Sequence, residues 1–226
     1  MKTSFSRALV MSALATCLFA TTLSVSAKEK PPENWDGLVR KKVKGLDLVY
    51  VRPNVQFAPY KSVILDPTQV EFSKNWEKSF DFHDRPEASD MERIKSKLSE
   101  LMHERFLKEL VEHGYTVVDA PAEDTLRVGT AIIDLFINAP DTQDAGITRS
   151  YTTSSGRMTL VLEARDGPTS QLLARAVDKR EDDNFGGRLT WTNSVTNTND
   201  ARLIIDVWAK QLRQALDRLN GKEDKK

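Results

Sequence analysis

The histidines are the first residues to consider for chemistry, because metal-dependent hydrolases hold their ion with two or more of them. The chain has three, His83, His103 and His113. His103-Glu104 begins the metalloprotease pattern His-Glu-x-x-His, but Leu107 stands where the second histidine is required. On a helix, the spacing of His103 and His113 separates them by about 80° around the axis and nearly three turns along it. This spacing predicts no shared metal ion.

Carboxylates in two loops are the other candidate metal ligands. One loop has Asp141 and Asp144, and the other has the run from Glu181 to Asn184. A calcium-binding loop places acids at alternating positions, with a central glycine and a final glutamate, and neither loop has this pattern. We therefore expect no bound metal and no cofactor.

Patterns for covalent or nucleotide chemistry are also missing from the sequence. There is no Gly-x-Ser-x-Gly elbow, no phosphate-binding Gly-x-x-x-x-Gly-Lys and no dinucleotide-binding Gly-x-Gly-x-x-Gly. The sequence predicts no catalytic residue. The alternative is an envelope hydrolase whose active site is not visible as a motif.

Two long polar loops, Asn138 to Gly156 and Glu181 to Asn199, are the candidates for binding, because long loops in compact domains are usually functional or disordered. The second loop combines Trp191 with the amides of Asn193 and Asn197. An aromatic ring among amides and hydroxyls suits the recognition of sugars or peptide backbones. These three residues are the predicted contact surface for a protein or glycan partner. The alternative is that Trp191 packs under the last helix while its polar neighbours cap that helix.

Two amphipathic helices are predicted to position these loops. Ser89 opens a capping box, and the apolar residues after it recur at helical spacing until Gly114 ends the helix. The last helix has an unbroken apolar stripe from Ala201 to Leu219, with Thr198 or Asn199 as its cap.

Short β-branched or alternating runs predict the strands. Their order along the chain, strands, helix, strands and helix, predicts an α+β fold, with an antiparallel sheet and two helices packed on one of its faces. Trp35 and Trp76 are expected in the core. The predicted strands are Leu46 to Val51, Ser62 to Leu65, Gln69 to Phe72, Thr125 to Ile137, Arg157 to Arg165, and Gln171 to Lys179.

The N-terminal segment has the composition of a bacterial export signal. Lys2 and Arg7 precede an uncharged, mostly apolar stretch, and Val25-Ser26-Ala27 offers short residues to a signal peptidase. We expect cleavage after Ala27, a mature chain that begins at Lys28, and a periplasmic location. A retained membrane anchor is the alternative, but serines and threonines dilute the apolar stretch.

Cys17 is the only cysteine in the chain. The segment Leu14-Ala15-Thr16-Cys17 is similar to a lipoprotein signal, but Thr16 stands where glycine, alanine or serine is wanted. We interpret Cys17 as a leader residue, so the mature chain has no thiol and no disulfide. The alternative is an outer-membrane lipoprotein anchored through Cys17, and we expect membrane association only in that case.

Composition and charge set the domain boundaries and restrict the partners. Residues 28–34 form a charged lead predicted to be mobile, residues 35–220 a single domain, and residues 221–226 a charged tail. The chain has 33 basic and 33 acidic residues. They are interleaved, whereas phosphate-binding surfaces need clustered basic residues, so we expect no nucleic acid partner.

Several segments carry a resemblance to a known family. The chain resembles the bacterial domain-of-unknown-function family 3313 over roughly Trp35 to Leu219. The resemblance is carried by Tyr50 to Pro53, Phe57, Tyr60 to Pro67, Asp200 to Arg202 and Trp208-Ala209. Members of this family are described mainly as envelope lipoproteins and have no assigned active site. The resemblance implies an exported, non-enzymatic binding or accessory module of the periplasm or outer membrane.

Overall fold

The computed structural model describes residues 30–55, 60–82, 85–138, 150–152, 154–183, 190–192 and 194–222. Ala27 and Cys17 lie outside these residues. Neither helix of the described chain combines the length and hydropathy that crossing a membrane requires. The helices are α1 (Ala88–Glu112) and α2 (Ser194–Leu219), with a short 3-10 helix at Trp76–Ser79. The strands are β1 (Asn34–Trp35), β2 (Leu38–Lys41), β3 (Leu48–Val51), β4 (Ser62–Leu65), β5 (Gln69–Phe72), β6 (Thr116–Val117), β7 (Thr125–Ile137), β8 (Ser150–Thr152), β9 (Ser154–Asp166), β10 (Leu172–Asp183) and β11 (Thr190–Thr192).

Nine of the described strands form one sheet, in the order β1-β2-β3-β10-β9-β7-β4-β6, with β5 also beside β7. The pairs along the first six strands are antiparallel. In contrast, β4 pairs in parallel with β6 and β7, and β5 pairs in parallel with β7. The α+β class is therefore confirmed, but the prediction of a purely antiparallel sheet was wrong.

The parallel pairs arise because α1 carries the chain back across the sheet. A strand that follows a crossover helix runs in the same direction as the strand before that helix. The short strands β4 and β5 lie end to end along β7, with Ser62 of β4 opposite Thr125 and Gln69 of β5 opposite Ala131. A single long strand thus serves as the parallel partner of both.

Both helices begin earlier than predicted. Glu87 precedes α1, two positions before the predicted cap Ser89, and its N–H donates to the Asp90 carboxylate at 3.3 Å. The first residue of α2 is Ser194, ahead of the predicted cap at Thr198. In each helix, the apolar stripe that identifies it in the sequence starts after the first residues of the helix, at Met91 in α1 and at Ala201 in α2.

The main core lies between the two helices and one face of the sheet. Side chains at alternate positions of β7 and β9 point into it, as expected for strands with one buried face. The helices contribute residues at helical spacing, which confirms the predicted apolar stripes. Buried residues of this core include Leu98, Met102, Phe106 and Leu110 of α1, Ile205, Trp208, Leu212 and Leu216 of α2, and Leu126, Val128, Met158, Leu160 and Leu162 of the sheet.

Ion pairs join the two helices, which run in parallel. Arg105 of α1 donates to the Asp206 carboxylate of α2 at 2.5 and 2.9 Å. Near the helix ends, Asp217 accepts hydrogen bonds from Arg213 at 2.5 Å and from the Tyr115 hydroxyl at 2.8 Å. Burial alone would raise the pKa of Asp217, but these hydrogen bonds outweigh it and hold that pKa below its usual range.

The other face of the sheet carries a smaller cluster of buried side chains, Leu38, Tyr50 and Leu172. Trp35 lies edge-on to Tyr50, with ring centroids 5.6 Å apart, and it is 40% exposed. The prediction that Trp35 lies in the core was therefore wrong, whereas Trp76 is buried as predicted. Trp35 packs against the Arg175 guanidinium on the outer face of the sheet, and the rest of its indole stays in water.

Candidate functional site

Two of the three predicted contact residues, Trp191 and Asn197, lie in described elements of the chain. Trp191 is the central residue of β11, and Asn197 lies in the first turn of α2. Asn193, between these elements, lies outside the described residues, as do the side chains of Trp191 and Asn197. The backbone therefore shows where Trp191 and Asn197 are placed, and the roles of all three residues as contact residues stay predictions.

The two long polar loops meet in a second, two-stranded sheet. β8, from the first loop, pairs antiparallel with β11, from the second, and Trp191 stands opposite Tyr151. Along the chain, β8 directly precedes β9, and β11 follows β10. We call these two strands the β8–β11 ribbon. The ribbon places two aromatic residues at one register position.

A buried carboxylate ties β10 to α2 near the start of this region. Asp178, only 2% exposed, accepts hydrogen bonds from the Trp208 indole at 2.8 Å, from Arg180 at 2.6 Å and from the Asp47 N–H at 3.0 Å. In return, the Lys179 N–H donates to the Asp47 carboxylate at 2.9 Å. These hydrogen bonds lie directly beyond the last residue pair between β3 and β10.

The outer face of the sheet carries a row of paired charges. Arg175 contacts Asp36 and Glu163 at 2.8 and 2.6 Å, and Arg165 contacts Glu163 at 2.6 Å. The Arg175 guanidinium also lies 4.3 Å from the Trp35 ring centroid, within cation–π range. Burial opposes ionisation of Glu163, but hydrogen bonds from the two arginines lower its pKa. The charges of this row are paired with one another, and through Arg175 the row holds the segment around Trp35 on the sheet.

The histidines do not come together in the described part of the chain. No group of three or more potential metal ligands is found there. His103 is exposed on α1, His113 follows that helix with its Nδ1 2.7 Å from the Glu109 carbonyl oxygen, and His83 lies outside the described residues.

A shallow cleft lies beside His103. Its other lining residues include Asp66, Thr68 and Thr130. The hydroxyls of Thr68 and Thr130 lie 2.7 Å apart and bond to each other, while Arg127 pairs with Asp66 at 2.8 Å. Its polar groups thus serve the junction of β4 and β5, and no nucleophile–base pair points into it.

Sequence reasoning missed the continuation of β10 to Asp183. The predicted strand ended at Lys179, because the following residues, from Arg180 to Asp183, are all charged. In the structure they extend the β9–β10 ladder, and Asp183 pairs with Ser154. Only the length of the facing strand could have indicated this extension, because charged residues are depleted in strands.

Comparison with known proteins gives a family and several solved structures with low similarity. No curated protein matches the sequence. A PelC dodecamer from Paraburkholderia phytofirmans is 13% identical, with 71% of this chain and 94% of that chain covered and a TM-score of 0.35. A minor lipoprotein from Acinetobacter baumannii is 12% identical, with 70% and 94% covered and a TM-score of 0.34. Residues 30–212 match the family described as protein of unknown function, DUF3313, and the chain therefore belongs to that family.

Proposed function

We propose that this chain is an exported envelope protein that works without catalysis, as a binding or accessory module. The observation that carries the proposal is the meeting of the two long polar loops in the β8–β11 ribbon, which sets Trp191 opposite Tyr151. Loops on a rigid scaffold are where binding residues concentrate, and the β9–β10 hairpin supplies that scaffold. The proposed contact residues are Trp191, Asn193 and Asn197, and the proposed partner is an envelope protein or a glycan strand.

The N-terminal segment supports a periplasmic location for the mature protein. A basic start, an uncharged apolar stretch and short residues before Lys28 are the three parts of a cleavable signal. The alternative location is the outer membrane, with a lipid on Cys17.

The site of processing is directly measurable. N-terminal sequencing of the protein recovered from the periplasm should give Lys28 as the first residue, because Val25-Ser26-Ala27 is the best cleavage context. Mass spectrometry of the same sample provides the control for lipidation. A lipid-modified Cys17 at the N-terminus would contradict the prediction and place the protein on a membrane.

The contact surface can be tested by crosslinking in intact cells followed by affinity recovery. Trp191→Ala should lower partner recovery severalfold while changing the free energy of unfolding by less than ~1 kcal/mol, as a partly exposed side chain does. If Trp191 is instead a core residue, the same change should cost about 3–5 kcal/mol. Phe82→Ala is the matched control, because it removes another aromatic ring, 82% exposed, from a segment outside the two long polar loops. Unchanged recovery with a large loss of stability would show that the surface is elsewhere.

A further inference from the structure

Beyond its last pair with β3, β10 has no partner strand on that side among the described residues. The Leu173 carbonyl accepts from the Arg52 N–H at 2.7 Å, and the Lys179 N–H donates to Asp47, so both groups point toward the β3 side. In an antiparallel sheet, the backbone N–H and C=O groups of successive residues point alternately toward the two neighbouring strands. The groups of the odd-numbered residues in β10 therefore point toward the β3 side. The next such residue is Glu181. It is exposed, and β10 has no described strand beside it on that side. We call residues 181–183 the open edge.

One flank of α2 lies beside this part of β10. The Gly45 carbonyl accepts from Arg180 of β10 at 2.6 Å and from Gln211 of α2 at 2.8 Å. Val207 and Leu203 precede Gln211 by one and two helical turns, so they lie along the same flank. They are 43% and 66% exposed, so they present two large apolar side chains in succession on one face. We call Leu203 and Val207 the apolar flank.

The direction of α2 brings the apolar flank toward the open edge. Near the C-terminal end of α2, Asp217 accepts from Tyr115, which leads into β6 at the end of the sheet where β7 begins. At that same end, Leu126 of β7 pairs with Asp166, next to the turn between β9 and β10. The N-terminal half of α2 therefore lies toward the opposite end, where β10 reaches Asp183.

We propose that the open edge accepts an extended peptide segment of a partner protein as an added strand, with the apolar flank beside it. This inference rests on the proposed function and specifies the class of partner. Main-chain hydrogen bonds to an exposed edge supply affinity in strand addition, and alternate side chains supply specificity. Glu181, Asp182 and Asp183 are three consecutive acids. Charge complementarity therefore favours a segment that alternates basic and apolar residues.

The test uses the full chain, purified from the envelope after normal processing, and three labelled peptides. The first peptide alternates lysine and valine, the second alternates glutamate and valine, and the third is the lysine–valine peptide with alternate backbone amides N-methylated. Fluorescence anisotropy should show that the first binds about tenfold or more tightly than either of the others, since each loses charge pairing or backbone hydrogen bonds. N-methylation leaves the protein unaltered, so this comparison does not depend on the folding of any variant.

Two substitutions at Glu181 distinguish the contribution of its backbone N–H to peptide binding from the contribution of its charge. Glu181→Pro removes an N–H that points away from β9, a position at which an edge strand tolerates proline, and should weaken binding of the lysine–valine peptide about tenfold. Glu181→Gln keeps the N–H and should weaken it no more than about threefold. Val207→Ser should also weaken binding, whereas Val111→Ser, at a similarly exposed valine of α1, should not.

The proposal of an added strand would be wrong if the first and third peptides bound equally well. It would also be wrong if the two Glu181 substitutions weakened binding equally. Concentration-dependent self-association that Glu181→Pro abolishes would overturn it as well, because the occupant would then be a second copy of the chain. These outcomes are distinct from failure of the proposed function, which is measured by partner recovery with Trp191→Ala. If that recovery falls while the peptides fail, the contact surface stands and strand addition is wrong.

Discussion

Leu212→Asp should destabilise the fold by about 4 kcal/mol or more, close to the whole stability of an ordinary domain. Leu212 is buried in the main core on the inner face of α2. Truncating a buried leucine alone costs about 2–5 kcal/mol, and the substitution adds an unpaired carboxylate in apolar surroundings. Urea unfolding followed by circular dichroism measures the loss, with a much reduced midpoint or no folded baseline as the expected result.

Leu203→Asp is the matched control, because it makes the same chemical change on the same helix at an exposed position. It should alter the free energy of unfolding by no more than about 0.5 kcal/mol. If the two variants unfold at similar urea concentrations, or if Leu212→Asp costs less than ~1 kcal/mol, the core does not lie where the structure places it.

The second large effect is expected at Asp178. Asp178→Ala leaves the Trp208 indole N–H and the Asp47 backbone N–H without their acceptor and removes the ionic partner of Arg180. The orphaned Trp208 donor is buried and costs about 1–3 kcal/mol, while the part-buried Asp47 N–H adds less, so the total loss should reach about 2 kcal/mol or more. Arg180 contributes less to this total, because its side chain is partly exposed and water replaces the lost partner.

Asp206→Ala provides the comparison for this prediction. It also removes a carboxylate that pairs with an arginine, but Asp206 is 38% exposed and its loss should cost no more than about 1 kcal/mol. A double-mutant cycle of Asp178→Ala with Trp208→Phe should show a coupling of about 1 kcal/mol or more, since the two residues share a buried hydrogen bond. Additive effects would mean that the bond does not hold β10 to α2.

The sequence predicted the helices well because their signal is periodic and local. The α2 stripe, which includes Trp208 and Leu212, and the end of α1 at Gly114, where φ is +80°, need only neighbouring residues to be recognised. Strand direction is different, since an isolated run such as Ser62 to Leu65 does not reveal whether its partner runs parallel or antiparallel. The crossover through α1 decides it, and that is a property of the whole chain.

The candidate site was predicted only in part. Both long loops were identified from length and composition, but nothing local indicated that Tyr151 would stand opposite Trp191, since three-residue strands have almost no sequence signal. The position of Trp35 was missed for a related reason. Its partner Arg175 lies in a distant strand, and spacing along the chain does not reveal such a contact.

The pairing of β3 with β10 has a consequence for the order in which the protein folds. Asp47 and Asp178, which are hydrogen-bonded next to this pairing, are 131 positions apart. The segment from β1 to β3 therefore lacks its partner strand, β10, until the C-terminal third of the chain has been synthesised. Contacts between such distant segments form late and slowly, and a small meander of short strands is marginal alone in water. Under the export that we propose for this chain, this order would keep the sheet incomplete until the last strand and helix are available.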